Sequence, residues 1–148
     1  MRKLVALLAA AALSALALTA LSLAATKAGG WKATLTSGAE VPAPTVKAPH
    51  AKGTFTATVS GTNLKWKLTY SGLTGPAAAA HIHVGAAGKA GNVLVPLCGT
   101  APKCRSGLTG TTKLTAQLKS LFAKHQLYVN VHTAKNLNGE IRGQITAG

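Results

Sequence analysis

Aspartate is absent from this chain of 148 residues, and glutamate occurs only as Glu40 and Glu140. That shortage removes whole classes of chemistry. A calcium site needs several oxygen anions, which two carboxylates a hundred positions apart do not supply. A Ser-His-Asp triad lacks its third member, and no Gly-x-Ser-x-Gly elbow is present. A two-carboxylate glycosidase would require Glu40 and Glu140 to meet, and Glu40 sits in a proline-rich loop. Gly85-Ala86-Ala87-Gly88-Lys89 has the glycine and lysine of a phosphate loop but not its full pattern. Aromatic residues make up 4% of the chain. They do not interleave with the lysines in the manner of a base-stacking platform, so no specific nucleic-acid site is expected. Beyond residue 25 no apolar run is long enough to cross a bilayer.

What is abundant is positive charge, a formal +14. The chain opens with Met1-Arg2-Lys3 and an apolar run from Leu4 to Ala25 broken only by Ser14, Thr19 and Ser22. A basic start, an apolar middle and small residues near Ala24 describe a secretory signal peptide over 1–28, cut after Ala24 or Ala28. If retained instead, the run would be long enough to anchor the chain. Loss of Arg2 and Lys3 leaves about +12, still enough to draw the protein toward anionic surfaces such as cell-envelope polymers. The lysines are scattered along the sequence, which reads as a solvated basic surface. Residues 29–148 suffice for one domain with its own core.

Export means an oxidising compartment, and so a disulfide between the two cysteines, Cys98 and Cys104. The ring they close is short, and its chain-entropy contribution is about 2–2.5 kcal/mol. Their spacing is not that of a redox or zinc motif.

Apolar residues alternate with polar ones along most of the chain, the signature of strands with one buried face. Trp31, Ala33 and Leu35 point one way; so do Phe55, Ala57 and Val59, then Leu64, Trp66, Leu68 and Tyr70, with Gly61-Thr62 as a hairpin turn. Val93 to Leu97 is a further strand after a flexible loop, Gly85 to Gly91. One helix is expected between Thr115, its cap, and Lys124, with Leu118, Leu121 and Phe122 on a single face. The fold class is therefore all-β: an antiparallel immunoglobulin-like or Greek-key sandwich or barrel with one short helix.

Three alternating segments carry the remaining chemistry. If Ile82 and Val84 face the core, His81 and His83 share the opposite face; Val129 and Val131 likewise turn Tyr128, Asn130 and His132 outward. In the last segment Ile141 and Ile145 go in, while Glu140, Arg142 and Gln144 come out. If these strands pair in one sheet, His81, His83 and His132 cluster. Three neutral imidazoles suit copper or zinc, with Asn130, Glu140 and Arg142 as supporting groups. Metal affinity is then expected to fall between about pH 7 and 5. The alternative is a hydrogen-bonded network that fixes strand register, with Arg142 and Glu140 as ion-pair partners. His50 and His125 read as ordinary surface residues.

The segments Ala80-His81-Ile82-His83-Val84-Gly85, Tyr128 to Thr133 and Gly139 to Gln144, with the earlier Gly38 to Pro44, resemble the signature of the chordin-type (CHRD) domain. The resemblance runs from about Trp31 to Thr146. The family occurs in a secreted growth-factor antagonist of animals and as single domains in bacterial exported proteins. The resemblance implies an immunoglobulin-like β-fold and little about activity. The His-x-His strand is also similar to that of copper/zinc superoxide dismutases, but their zinc aspartate and bridging histidine have no counterpart. The expected function is a secreted or envelope-associated, non-enzymatic binding or structural module, its partner an anionic envelope polymer or another protein. The rival is a copper- or zinc-binding protein, with a redox role, built on His81, His83 and His132.

Overall fold

A computed structural model of the protein describes residues 30–148. The expected leader lies outside the described residues. Nine strands follow in order, with one α-helix between the sixth and seventh: β1 (Trp31–Thr36), β2 (Lys52–Ser60), β3 (Asn63–Ser71), β4 (Ala77–Val84), β5 (Val93–Cys98), β6 (Leu108–Lys113), α1 (Ala116–Ala123), β7 (Leu127–Thr133), β8 (Asn136–Gln144) and β9 (Thr146–Ala147). Every pairing is antiparallel, and the spatial order is β5-β4-β7-β8-β1-β2-β3-β6, with β9 added to β1. The all-β class is as the alternation implied, and the α-helix stands where the Thr115 cap and the apolar spacing after it placed it.

The sheet curls into a nearly closed barrel because each strand has one apolar face to hide. Leu35, Phe55, Leu64, Leu68, Ile82, Val129, Val131 and Ile141 fill it and are fully buried. The two ends of the strand order, β5 and β6, are not joined by a ladder. Along that seam Leu118 of α1 stands with Leu94 and Val95 of β5 and Thr112 of β6. The helix forms as its sequence signals: the Thr115 hydroxyl accepts from the Leu118 amide at 3.2 Å, and Leu118 and Phe122 are buried. Phe122 meets Trp31 with ring centroids 4.6 Å apart. Cys98 and Cys104 form the expected disulfide.

Some local readings change. β6 escaped the alternation pattern, because Thr109-Gly110-Thr111-Thr112 lacks large apolar residues; Gly110 sits opposite Trp66, whose indole occupies the space a side chain there would need. Val59 is exposed at the end of its strand. The Gly85–Gly91 loop is tied to the barrel: the Gly85 amide donates to Gln126 O at 3.0 Å, and Arg142 and Gln144 donate to its carbonyls.

Candidate metal centre

The three chemical strands are neighbours in the order β4-β7-β8. Register places His81 opposite Asn130, His83 opposite Tyr128 and Ala79 opposite His132. On the other flank Asn130 faces Arg142 and Tyr128 faces Gln144. Cross-strand partners share a face, so the side chains that alternation turned away from the core come together on one patch. The face is nevertheless covered, not wet. Every residue of β7 is buried, since the segment around Glu40 and the Gly85–Gly91 loop close over it.

The imidazoles of His81, His83 and His132 cluster, with a nitrogen of each within 4.8 Å of the others. Ring centroids lie 5.0 Å apart for His81 and His132, 5.4 Å for His81 and His83, and 6.2 Å for His83 and His132. Two of the rings have their tautomer set by the backbone. His83 Nδ1 is 2.9 Å from Gly91 O, and His132 Nδ1 is 2.9 Å from Leu137 O. A carbonyl only accepts, so each Nδ1 carries the proton and each Nε2 keeps its lone pair. Nε2 of His83 is buried without a hydrogen-bond partner, and Nε2 of His132 lies 3.1 Å from His81 Nδ1. Three imidazole nitrogens on one tetrahedral ion at about 2.0–2.1 Å stand about 3.3 Å apart. The His81–His132 separation, 3.1 Å, is close to that value.

Burial lowers the basicity of all three. His81 is pushed down to about 4, by burial first and by His132 and His83 after it. His83 and His132 are also lowered, with burial again the main cause; bonds to Gly91 and Leu137 oppose it. All three are thus neutral near pH 7, the form that binds a metal. His81 is half-buried, whereas His83 and His132 are 8% and 9% exposed, so the cluster meets solvent at His81.

The surroundings form a stack. Tyr128 lies parallel to His83, centroids 4.9 Å apart with 13° between planes, and Arg142 Cζ sits 3.4 Å from the centre of the Tyr128 ring. Arg142 Nη2 donates to Ala86 O at 3.1 Å and Lys89 O at 2.8 Å, and the Gly91 amide donates to the Tyr128 hydroxyl at 3.1 Å. Arg142 therefore holds the loop whose Gly91 carbonyl orients His83.

Glu140 does other work. Its carboxylate accepts from the Thr74 amide, the Thr74 and Thr133 hydroxyls (each 2.6 Å) and Asn136 Nδ2 (2.8 Å), and it bonds neither Arg142 nor any histidine. Burial opposes its ionisation, but these bonds outweigh it and keep its pKa below the usual value. It knots the β7–β8 turn to the segment before β4.

The residue sequence reasoning passed over is Glu40. It is 5% exposed and rests against Gly139, whose φ of 124° and missing side chain make room for its carboxyl group. Burial raises its pKa to about 7, against the opposing pull of the Val41 amide, Arg142 and Asn130. Asn130 lies near enough to favour the charged forms of Glu40 and His83, although its Oδ1 and the His83 Nε2 make no hydrogen bond. The signal was available: one of two carboxylates in the whole chain lay in a loop that shared the domain signature. His50 and His125 are exposed, as expected.

A CHRD domain model matches residues 31–145 of the chain. No curated protein and no solved structure matches it.

Proposed function

The chain belongs to the CHRD-domain family. From that premise we propose that it is an exported, non-enzymatic binding module whose ligand is one copper or zinc ion held by His81, His83 and His132. The observation that carries this reading is the approach of one ring nitrogen from each histidine to within 4.8 Å of the others, with Nδ1 of His83 and of His132 held by the Gly91 and Leu137 carbonyls. Backbone carbonyls that fix the tautomer of a ligating histidine are a regular feature of metal sites. An all-nitrogen donor set suits copper and zinc and disfavours calcium or magnesium. Export is supported by the leader-like N-terminus and by the disulfide, which persists in an oxidising compartment. Among the described residues no helix is long and apolar enough to cross a membrane.

Without metal, the same histidines form the register-fixing network through the His81–His132 contact. The two readings differ in one measurement. The mature protein, purified without an affinity tag, is titrated with copper(II) and with zinc against a chelator of known affinity. One ion per chain, lost in the His81→Ala/His83→Ala/His132→Ala variant while circular dichroism stays β-type, is the expected result. No ion retained at micromolar affinity, or equal retention by the triple variant, leaves the histidines purely structural. Superoxide turnover by the copper-loaded protein would overturn the non-enzymatic part.

A further inference from the structure

Both carboxylate side chains of the chain, Glu40 and Glu140, are buried, so no acidic side chain neutralises the basic surface. The lysines looked scattered in sequence, but strand register gathers five of them. Lys32 lies opposite Thr56, Thr56 opposite Lys67, and Lys67 opposite Thr109, a row that crosses four strands. The next row runs Thr58, Lys65, Thr111, and the one beyond it ends on Lys113. At the other end Lys52 pairs with Thr36. These residues are exposed, and they form the outer face of β1-β2-β3-β6, on the other half of the sheet from the histidines. A shallow open depression on it is lined by Thr56, Thr58, Lys65, Lys67, Thr109 and Thr111, and by Trp66, which is itself buried with the core residues of β3.

We infer that this lysine–threonine face binds a linear anionic polysaccharide. Neighbouring strands stand about 4.8 Å apart and same-face residues about 6.8 Å apart along a strand. Ammonium groups and hydroxyls therefore alternate on a regular grid over the outside of the barrel, offering charge to acidic groups and hydrogen bonds to sugar hydroxyls along an extended chain. Other polyanions fit less well. The face has no aromatic side chain on which bases could stack, and a sheet face does not enter a duplex groove edge-on. It also lacks an exposed large apolar residue to insert among lipid tails: Val46, Val93 and Leu137 lie on other elements, and Val59 has the core parity of β2.

The test compares two variants with the same loss of charge in the mature protein. Lys65→Gln/Lys67→Gln removes charge from the face; Lys119→Gln/Lys124→Gln removes it from and beside α1. Binding to heparin oligosaccharides is measured over a series of salt concentrations. The face variant is expected to bind about thirtyfold more weakly, as for two lysines at an anionic surface, and with a shallower salt dependence. The helix variant is expected to change less than twofold. Thr56→Val/Thr111→Val keeps the charge and is expected to weaken heparin binding while leaving binding to duplex DNA unchanged. Equal losses in both lysine variants would reduce the effect to net charge and overturn the proposal. Binding of duplex DNA or of phosphatidylserine-containing vesicles as tight as that of heparin would overturn it equally. Thermal unfolding of each variant guards against loss of fold, and the exposed positions of all four lysines make that loss unexpected.

Discussion

His83 is the most constrained of the three imidazoles: 8% exposed, bonded through Nδ1 to Gly91, stacked on Tyr128 and left with an unpaired Nε2. An unpaired buried acceptor is costly unless something binds it. His83→Ala is therefore expected to lower copper or zinc affinity by at least a hundredfold, read by chelator competition, since even supporting groups of such sites are worth ten- to a hundredfold. Glu40 offers a second residue-scale test. Its folded pKa, about 7, is above its ordinary value of 4.5, so the folded state keeps a proton that the unfolded chain releases. The resulting stability is full below pH 4.5 and is lost as pH rises through 7. Glu40→Gln should therefore match the wild type at pH 4 and melt at a higher temperature at pH 8. An advantage at acid pH and none at alkaline pH would contradict a buried, protonated Glu40.

At the scale of elements, the Gly85–Gly91 loop shows how a glycine-rich segment is fastened by its backbone carbonyls. Its carbonyls at Gly85, Ala86 and Lys89 are each taken by β8, through Gln144 and Arg142. Alternation identified which face Arg142 and Gln144 occupy, yet it carried no information about what would lie on that face. Arg142→Met keeps much of the apolar stem and removes both bonds to the loop. Amide exchange at Lys89 and Gly91 is expected to accelerate, and metal affinity to fall about tenfold as the Gly91 carbonyl loses its hold on His83. Unchanged exchange would show that the loop stands without the guanidinium. Helix α1 is the opposite case: cap, apolar face and position were all readable locally, because helix signals act within a few residues.

Across the whole molecule, the histidine cluster makes stability depend on pH and on metal together. Folded pKa values below the ordinary 6.5 mean that the unfolded chain takes up protons first as pH falls. The contribution is present above pH 6.5 and is lost as pH drops toward the folded values, about 4 for His81. The same depression moves proton competition for metal below the window expected for free imidazole, so affinity should begin to fall at a lower pH than a site of free imidazoles would. Metal at a hundredfold over its dissociation constant should add about 2.7 kcal/mol to unfolding, seen as a rise in Tm at pH 7 that a chelator reverses. A Tm that ignores copper and zinc would count against the site.

The sequence alone determined what depends on neighbours along the chain. Alternation of period two assigned most strands and sorted Ile82, Val84, Val129 and Val131 from His81, His83 and His132, because strand side chains must flip at each residue. Scarcity of carboxylates excluded much chemistry before any fold was known. The tertiary structure decided what depends on pairing and coverage. Register brought His132 beside His81, 51 positions away, and turned dispersed lysines into one face through pairs such as Lys67 and Thr109, 42 positions apart. Burial of Glu40 against Gly139, the loop over β7 and the diversion of Glu140 to Thr74 likewise arise from long-range packing, which no local pattern encodes.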